Sequence, residues 1–147
     1  MRGNFDRAFA TVMRLEGAIS TDKNDPGNTN KDGSAGFTVW GLSSRYNPGV
    51  TENMTIEDAR EIYLEKYWID AGCDGAQWPD DVVLFDTAVN QGISTIKTIM
   101  GAPGEWMGTW QDILFQRMLI YQKKSKDIYV KGHLFRILKL YQAILDW

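Results

Sequence analysis

The sequence holds a single cysteine, Cys73, and a single histidine, His133. One thiol cannot close an internal disulfide, so folding in a reducing cytoplasm is the natural inference. With no second Cys or His to complete a ligand set, zinc spacing is missing, and His133 reads as a surface or capping residue. No apolar run approaches the length of a membrane span. The N-terminal stretch carries Asp6, Arg7 and Arg14 among its apolar positions, which denies it a signal-peptide core. The expectation is a chain made in the cytoplasm without a signal peptide, which another agent must release if it acts outside. A Gly-rich phosphate loop, a Ser nucleophile elbow, internal repeats and low-complexity tracts are also missing.

What remains is an ordinary globular composition, 44% apolar and 24% charged over 147 residues. That length is one domain by the usual prior, able to bury about two-thirds of its unfolded surface. The net charge of −3 hides an asymmetry. From Leu114 onward seven Lys and Arg face only Asp127 and Asp146, a balance of +5, which leaves −8 for the first 113 residues. A solvated helix face accounts for the basic portion; the alternative is attraction to an anionic polymer or envelope.

Phe5, Ala8, Phe9, Val12 and Met13 share one helical face. Glu16 falls within about 20° of that face, so a carboxylate continues an apolar stripe to the helix end, with Gly17 as terminator. Desolvation and the helix dipole would both raise its pKa, as a general acid near neutrality requires. Asp22–Gly33 has ligand-like offsets for calcium at Asp22, Asn24 and Gly27. However, Pro26 and Gly33 stand where the fifth ligand and the bidentate Glu are needed, so no metal is expected. Phe37–Ser43 reads as a strand in a small hairpin.

Thr55 caps a helix running to about Asp70, with Asp58 as capping-box partner and Ile56, Ala59, Tyr63 and Tyr67 as its stripe. A loop over Asp70–Asp80 leads to Val82–Gly92, apolar nearly all round and therefore a buried central helix. Asp86 and Asn90, four apart on one face, are either a satisfied buried polar pair or a polar strip in a cleft floor. Past the Gly101–Gly104 breaker, helices are expected around Glu105–Lys124 and Lys131–Asp146.

Several of these pieces, in order, resemble glycoside hydrolase family 108, the phage-type and bacterial peptidoglycan lysozymes. Glu16-Gly17-Ala18 is similar to the family's E-G-G, Asp25-Pro26-Gly27-Asn28 to its D-P-G-G, and Thr38-Val39-Trp40-Gly41-Leu42-Ser43 to its T-x-x-G-I-[ST]. Ile62-Tyr63 with Tyr67-Trp68, the segment Leu84–Gly92 and the run Lys131–Arg136 resemble its later elements. The chain departs from the pattern at Ala18 and Asn28, and an insertion before the hairpin leaves Thr29 as a rival to Thr38.

The resemblance implies a mainly α, α+β lysozyme-like fold: a helical bundle around a buried central helix, with one small β-hairpin beside the active-site cleft. It implies a single domain over 1–147, with the catalytic Glu helix and hairpin in 1–55 and the helical portion in 56–147. It further implies a muramidase with Glu16, Asp25 and Thr38 as catalytic residues, Asp86 and Asn90 as substrate contacts, and no cofactor. Peptidoglycan glycan strands would be the partner of a monomer, with no nucleic acid and no stable membrane insertion. The composition itself assigns most of the surplus aromatic rings to the core, while some exposed ones would suit a carbohydrate-lined groove. Such an enzyme acts on periplasmic or cell-wall peptidoglycan after release, or is carried on a virion. The alternatives are a lytic transglycosylase, and a non-catalytic peptidoglycan-binding or phage structural module.

Overall fold

The computed structural model describes residues 4–16, 19–20, 28–101, 108–124 and 127–147. The first apolar stripe becomes helix α1, Phe5–Glu16, which buries Phe5, Ala8, Phe9, Thr11 and Val12. The chain then divides into two compact units: Met1–Leu15 with Tyr63–Trp147, and Glu16–Ile62. The fold is mainly α with one small antiparallel sheet, as the sequence leads one to expect. No helix among the described residues is long and apolar enough to cross a membrane.

In the larger unit the core is aromatic. Phe5, Trp68 and Phe85 meet edge to face with ring centroids 5.4–5.7 Å apart, and Phe9 packs on Tyr63 at 5.6 Å. Each such pair contributes about 0.5–1.5 kcal/mol beyond the area it buries. The central helix α3 (Asp80–Gln91) is buried from Asp81 to Ala88 and packs against α4 (Ile93–Met100), α5 (Trp110–Lys124) and the segment Leu64–Ile69. That last segment continues helix α2 (Ile56–Tyr63) as a π-helix rather than the single α-helix expected. Its i→i+5 register shifts the spacing so that Leu64 and Trp68 both turn inward, and the Trp68 indole N–H finds Asp74 Oδ1 at 2.7 Å.

Two other boundaries differ from expectation for local reasons. Helix α4 follows Gly92, whose φ of 85° ends α3, and it has no counterpart in the sequence reading. Five of its eight residues are β-branched, which argues against a helix on propensity alone; Thr95 and Thr98 compensate by donating to the carbonyls of Gln91 and Ser94. Helix α6 spans Asp127–Leu145 and runs straight through Gly132 instead of starting near it.

The smaller unit carries the sheet β1 (Ile19–Ser20), β2 (Thr38–Val39) and β3 (Leu42–Ser43), antiparallel in that order. Phe37–Ser43 is therefore a complete hairpin, not one strand of one. Trp40 (φ 52°) and Gly41 (φ 78°) form its two-residue turn, the positive-φ pair that matches strand twist. The Trp40 indole N–H donates to the Met54 carbonyl at 2.9 Å and ties the turn down. Farther on, the Thr55–Asp58 capping box is complete: Asp58 Oδ2 accepts from the Thr55 hydroxyl and N–H, and Asp58 N–H returns a bond to the hydroxyl.

Two glycines should respond oppositely to alanine. At Gly36 an added Cβ would lie 2.8 Å from both Asn30 Oδ1 and Ser44 Oγ, which are bonded to each other at 2.8 Å. Gly36→Ala should cost about 1–3 kcal/mol by overpacking. At Gly132, within α6, a Cβ meets nothing within 4 Å. Gly132→Ala should add about 0.5–1 kcal/mol through helix propensity. Denaturant midpoints of the two variants test both signs.

Candidate active site

Glu16 is the last residue of α1 and is half-buried. Asp25 lies outside the described residues. Thr38 sits in β2, half-buried, and its hydroxyl donates to Asn28 Oδ1 at 2.8 Å. The register fixes its neighbours: Ser20 pairs with Thr38 on one side and Ser43 on the other. Covalent reach then bounds the separation of the first and third catalytic candidates. Four residues from Glu16 to Ser20 span at most ~14 Å, and adjacent strands lie about 5 Å apart. The backbones of Glu16 and Thr38 are therefore within ~20 Å, and side chains reach inward from there.

Asn28 is a residue whose part the sequence does not announce. It marks a departure from the D-P-G-G pattern, yet it is 4% exposed and accepts a hydrogen bond from the Thr38 hydroxyl. A threonine hydroxyl that donates its only hydrogen presents lone pairs to whatever approaches next. Asn28 thereby leaves the Thr38 hydroxyl oxygen with acceptor capacity only. The signal available in the sequence was Asn28 itself, ten residues before Thr38, but nothing local specifies that pairing.

The rival Thr29 is placed differently. It forms an isolated bridge with Ala35, and its carbonyl accepts from Arg45 Nη1 at 2.7 Å. The loop beyond it closes on itself: Asn30 N–H donates to Ser34 O, and Asp32 Oδ1 accepts from the Ser34 hydroxyl at 2.7 Å and N–H at 2.9 Å. Those two bonds hold the exposed Asp32 carboxyl below its ordinary value. Among the described residues no three His, Cys, Asp or Glu side chains gather as metal ligands.

Asp86 and Asn90, in the larger unit, share a face of α3 but end at different depths. Asp86 is wholly buried; Oδ2 accepts from Arg117 at 2.8 Å and Oδ1 from Arg136 at 2.6 Å. Desolvation pushes its carboxyl up, and the two guanidinium groups outweigh it, so the group is held below its ordinary value. Arg117 also donates to Gln91 Oε1 at 2.7 Å. Asn90 is half-buried and accepts from the Tyr121 hydroxyl. On Tyr121 the His133 ring stacks at 4.1 Å, so His133 is neither a cap nor a plain surface residue. Desolvation and then Arg136 lower its pKa. Asn90, His133 and Arg136 line a cavity of about 300 Å³.

Asp86→Asn should remove the counter-charge for two arginines, one of them fully buried, and cost about 3–5 kcal/mol at neutral pH. Because the folded carboxyl titrates below its unfolded value, its stabilisation is present above that unfolded value and lost as the pH falls through the folded one. The stability gap between wild type and Asp86→Asn should therefore narrow below about pH 4. Urea titrations across pH 2–7 give the answer; a pH-independent gap would contradict the ionised buried pair.

Comparison with known proteins returned a match to one family model, Glycosyl hydrolase 108, over residues 9–92. No curated protein and no solved structure matched. The matched span is more than half of the chain and contains Glu16, Asp25, Thr38, Asp86 and Asn90. The chain belongs to the glycosyl hydrolase 108 family and is a glycoside hydrolase.

Proposed function

We propose that this glycoside hydrolase is a lysozyme-type enzyme that cleaves the bond between N-acetylmuramic acid and N-acetylglucosamine in peptidoglycan. The observation that carries the reading is the family match, whose span holds all three candidate groups in one stretch of chain. Glu16 gives its proton to the leaving glycosidic oxygen as the bond to the anomeric carbon breaks. A water supplies the new carbon–oxygen bond and passes its proton to Asp25. Thr38, its own hydrogen committed to Asn28, accepts a hydrogen bond from the other water hydrogen, which stays on the new anomeric hydroxyl, and fixes the direction of attack.

A water held by a short carboxylate and a hydroxyl suits attack on the sugar face opposite the acid. That inverting arrangement needs carboxyl groups roughly 6.5–9.5 Å apart, against about 5–5.5 Å for a retaining pair. Asp25 follows Glu16 by nine residues and lies beyond the helix end, a spacing that accommodates the wider separation. Asp86 has no surface from which to touch a sugar, and its part is to hold Arg136 in place; Asn90 faces a cavity and makes contact directly.

Digestion of purified sacculi, followed by mass analysis, tests the reaction. New reducing ends with hydrated N-acetylmuramic acid are expected, and the first-formed product should be the α-anomer. Anhydro-muramic products would show a transglycosylase, and binding without release would show a non-catalytic module. Within the site, Thr38→Ala should lower turnover about 10²-fold and Asn28→Ala about 10-fold, as lost water positioning does. Thr29→Ala should stay near wild type. A severe loss at Thr29 would place the third role on the wrong threonine.

A further inference from the structure

Two cavities in the larger unit adjoin at Leu15 and Lys139, which line both. One, of about 490 Å³, extends past Arg14 to Trp147; the other, of about 300 Å³, extends past Arg136 to Asn90. Their common wall is one stripe of α6. Gly132, Arg136, Lys139 and Ala143 recur at three- and four-residue steps and so share a helical face, with Asp146 just past the helix end. The rise along the helix from Gly132 to Ala143 makes that stripe ~17 Å long, enough for several pyranose rings. Gly132 leaves open space where a side chain would project.

The lining has the chemistry of a sugar polymer site with a charge preference. Trp147 is 55% exposed, and its ring is steadied by the Arg7 guanidinium at 4.2 Å and by Trp78 at 5.9 Å. A ring held in this way offers a platform for the apolar face of a sugar. Asn90 adds an amide for hydroxyl and acetamido groups. Counting Asp86 and Arg117 beneath the floor, four cations (Arg14, Arg117, Arg136, Lys139) stand against two carboxylates, Asp86 and Asp146. Asp146 also accepts from Gln142 at 2.7 Å. A surplus of fixed positive charge in a concave site selects for anions.

We infer that this groove is a glycan-binding site that takes strands bearing carboxylates, with Lys139 contacting the carboxylate and Trp147 stacking on a ring. The inference rests on the peptidoglycan reading above: the carboxylates are those of lactyl groups or of stem peptides. It adds a site that composition alone shows only as a basic C-terminal portion. Leu15, at the meeting point of the two cavities, immediately precedes Glu16 in the chain.

The test titrates full-length protein carrying Glu16→Gln with three soluble probes, observed by NMR. They are an N-acetylglucosamine tetramer, a muramic-acid-containing tetrasaccharide with free lactyl carboxylates, and the same tetrasaccharide with stem peptides. The Trp147 indole N–H and the Gly132 and Lys139 amides should shift with the acidic probes. Lys139→Ala should weaken acidic probes about fivefold, the size of one exposed charge contact, and leave the neutral tetramer within about twofold. Gly132→Leu, which projects into the groove, should weaken all three. Whether the loss at Lys139 appears with both acidic probes or only with the peptide-bearing one identifies the carboxylate.

Unmoved groove signals, or an equal loss for neutral and acidic probes, would overturn the site. If wild-type protein releases no reducing ends but the groove signals move, the hydrolase reading fails and the site stands. If it hydrolyses sacculi while the groove stays silent, the site fails alone.

Discussion

The buried carboxylate of Asp86 is the point on which the helical unit depends. It lies on the central helix α3 and is gripped by Arg117 from α5 and Arg136 from α6, 31 and 50 residues away in sequence. An unpaired charge at that depth costs about 3–5 kcal/mol, so packing of the three helices is favoured strongly when the cluster is complete. The same cluster sets the floor of a cavity. Arg136 is held with its guanidinium on Asp86 while its residue lines the groove, and Asn90, one turn along α3, receives Tyr121. Stability and a candidate recognition surface thus share side chains.

In the smaller unit the organising feature is a register rather than a charge. The Trp40–Gly41 turn fixes β2 against β3, and this sets Thr38 between Ser20 and Ser43. Asn28 then commits the Thr38 hydrogen. Asn28 stands where the D-P-G-G pattern has its second Gly, and the departure places a polar side chain against the threonine of the next motif, ten residues on. An inserted loop that satisfies its own hydrogen bonds, from Asn30 to Ala35, lets the hairpin keep its geometry despite the added length.

What could be read beforehand follows from how local each determinant is. Helix α1, the Thr55 capping box and buried α3 are written within a few consecutive residues, by apolar spacing or by a cap and its partner three residues on. The Thr109–Asp112 cap of α5 uses the same chemistry, but it follows the Gly101–Gly104 breaker so closely that the breaker alone points to an earlier start. Helix α4 was illegible because its β-branched residues speak against the helix that packing imposes. Strand β1 has only Ile19 and Ser20, and its partner Val39 is twenty residues away, so no period exists to detect. For Asp86 and Asn90 the spacing gives a shared face but not depth. Depth is set by arginines that arrive from distant helices. Glu16 and Thr38 were legible as candidates through spacing and motif; the role of Asn28 required coordinates.

The central claim is that a carboxylic acid at the end of α1 performs the proton transfer on which glycoside cleavage turns. Its most direct test is the rate of reducing-end release from purified sacculi by Glu16→Gln, with thermal unfolding recorded on the same sample. The amide keeps the shape and removes the proton. A fall of at least ~10²-fold with a wild-type-like unfolding transition is the predicted result. Turnover retained within a few-fold would contradict it and remove Glu16 from the chemistry.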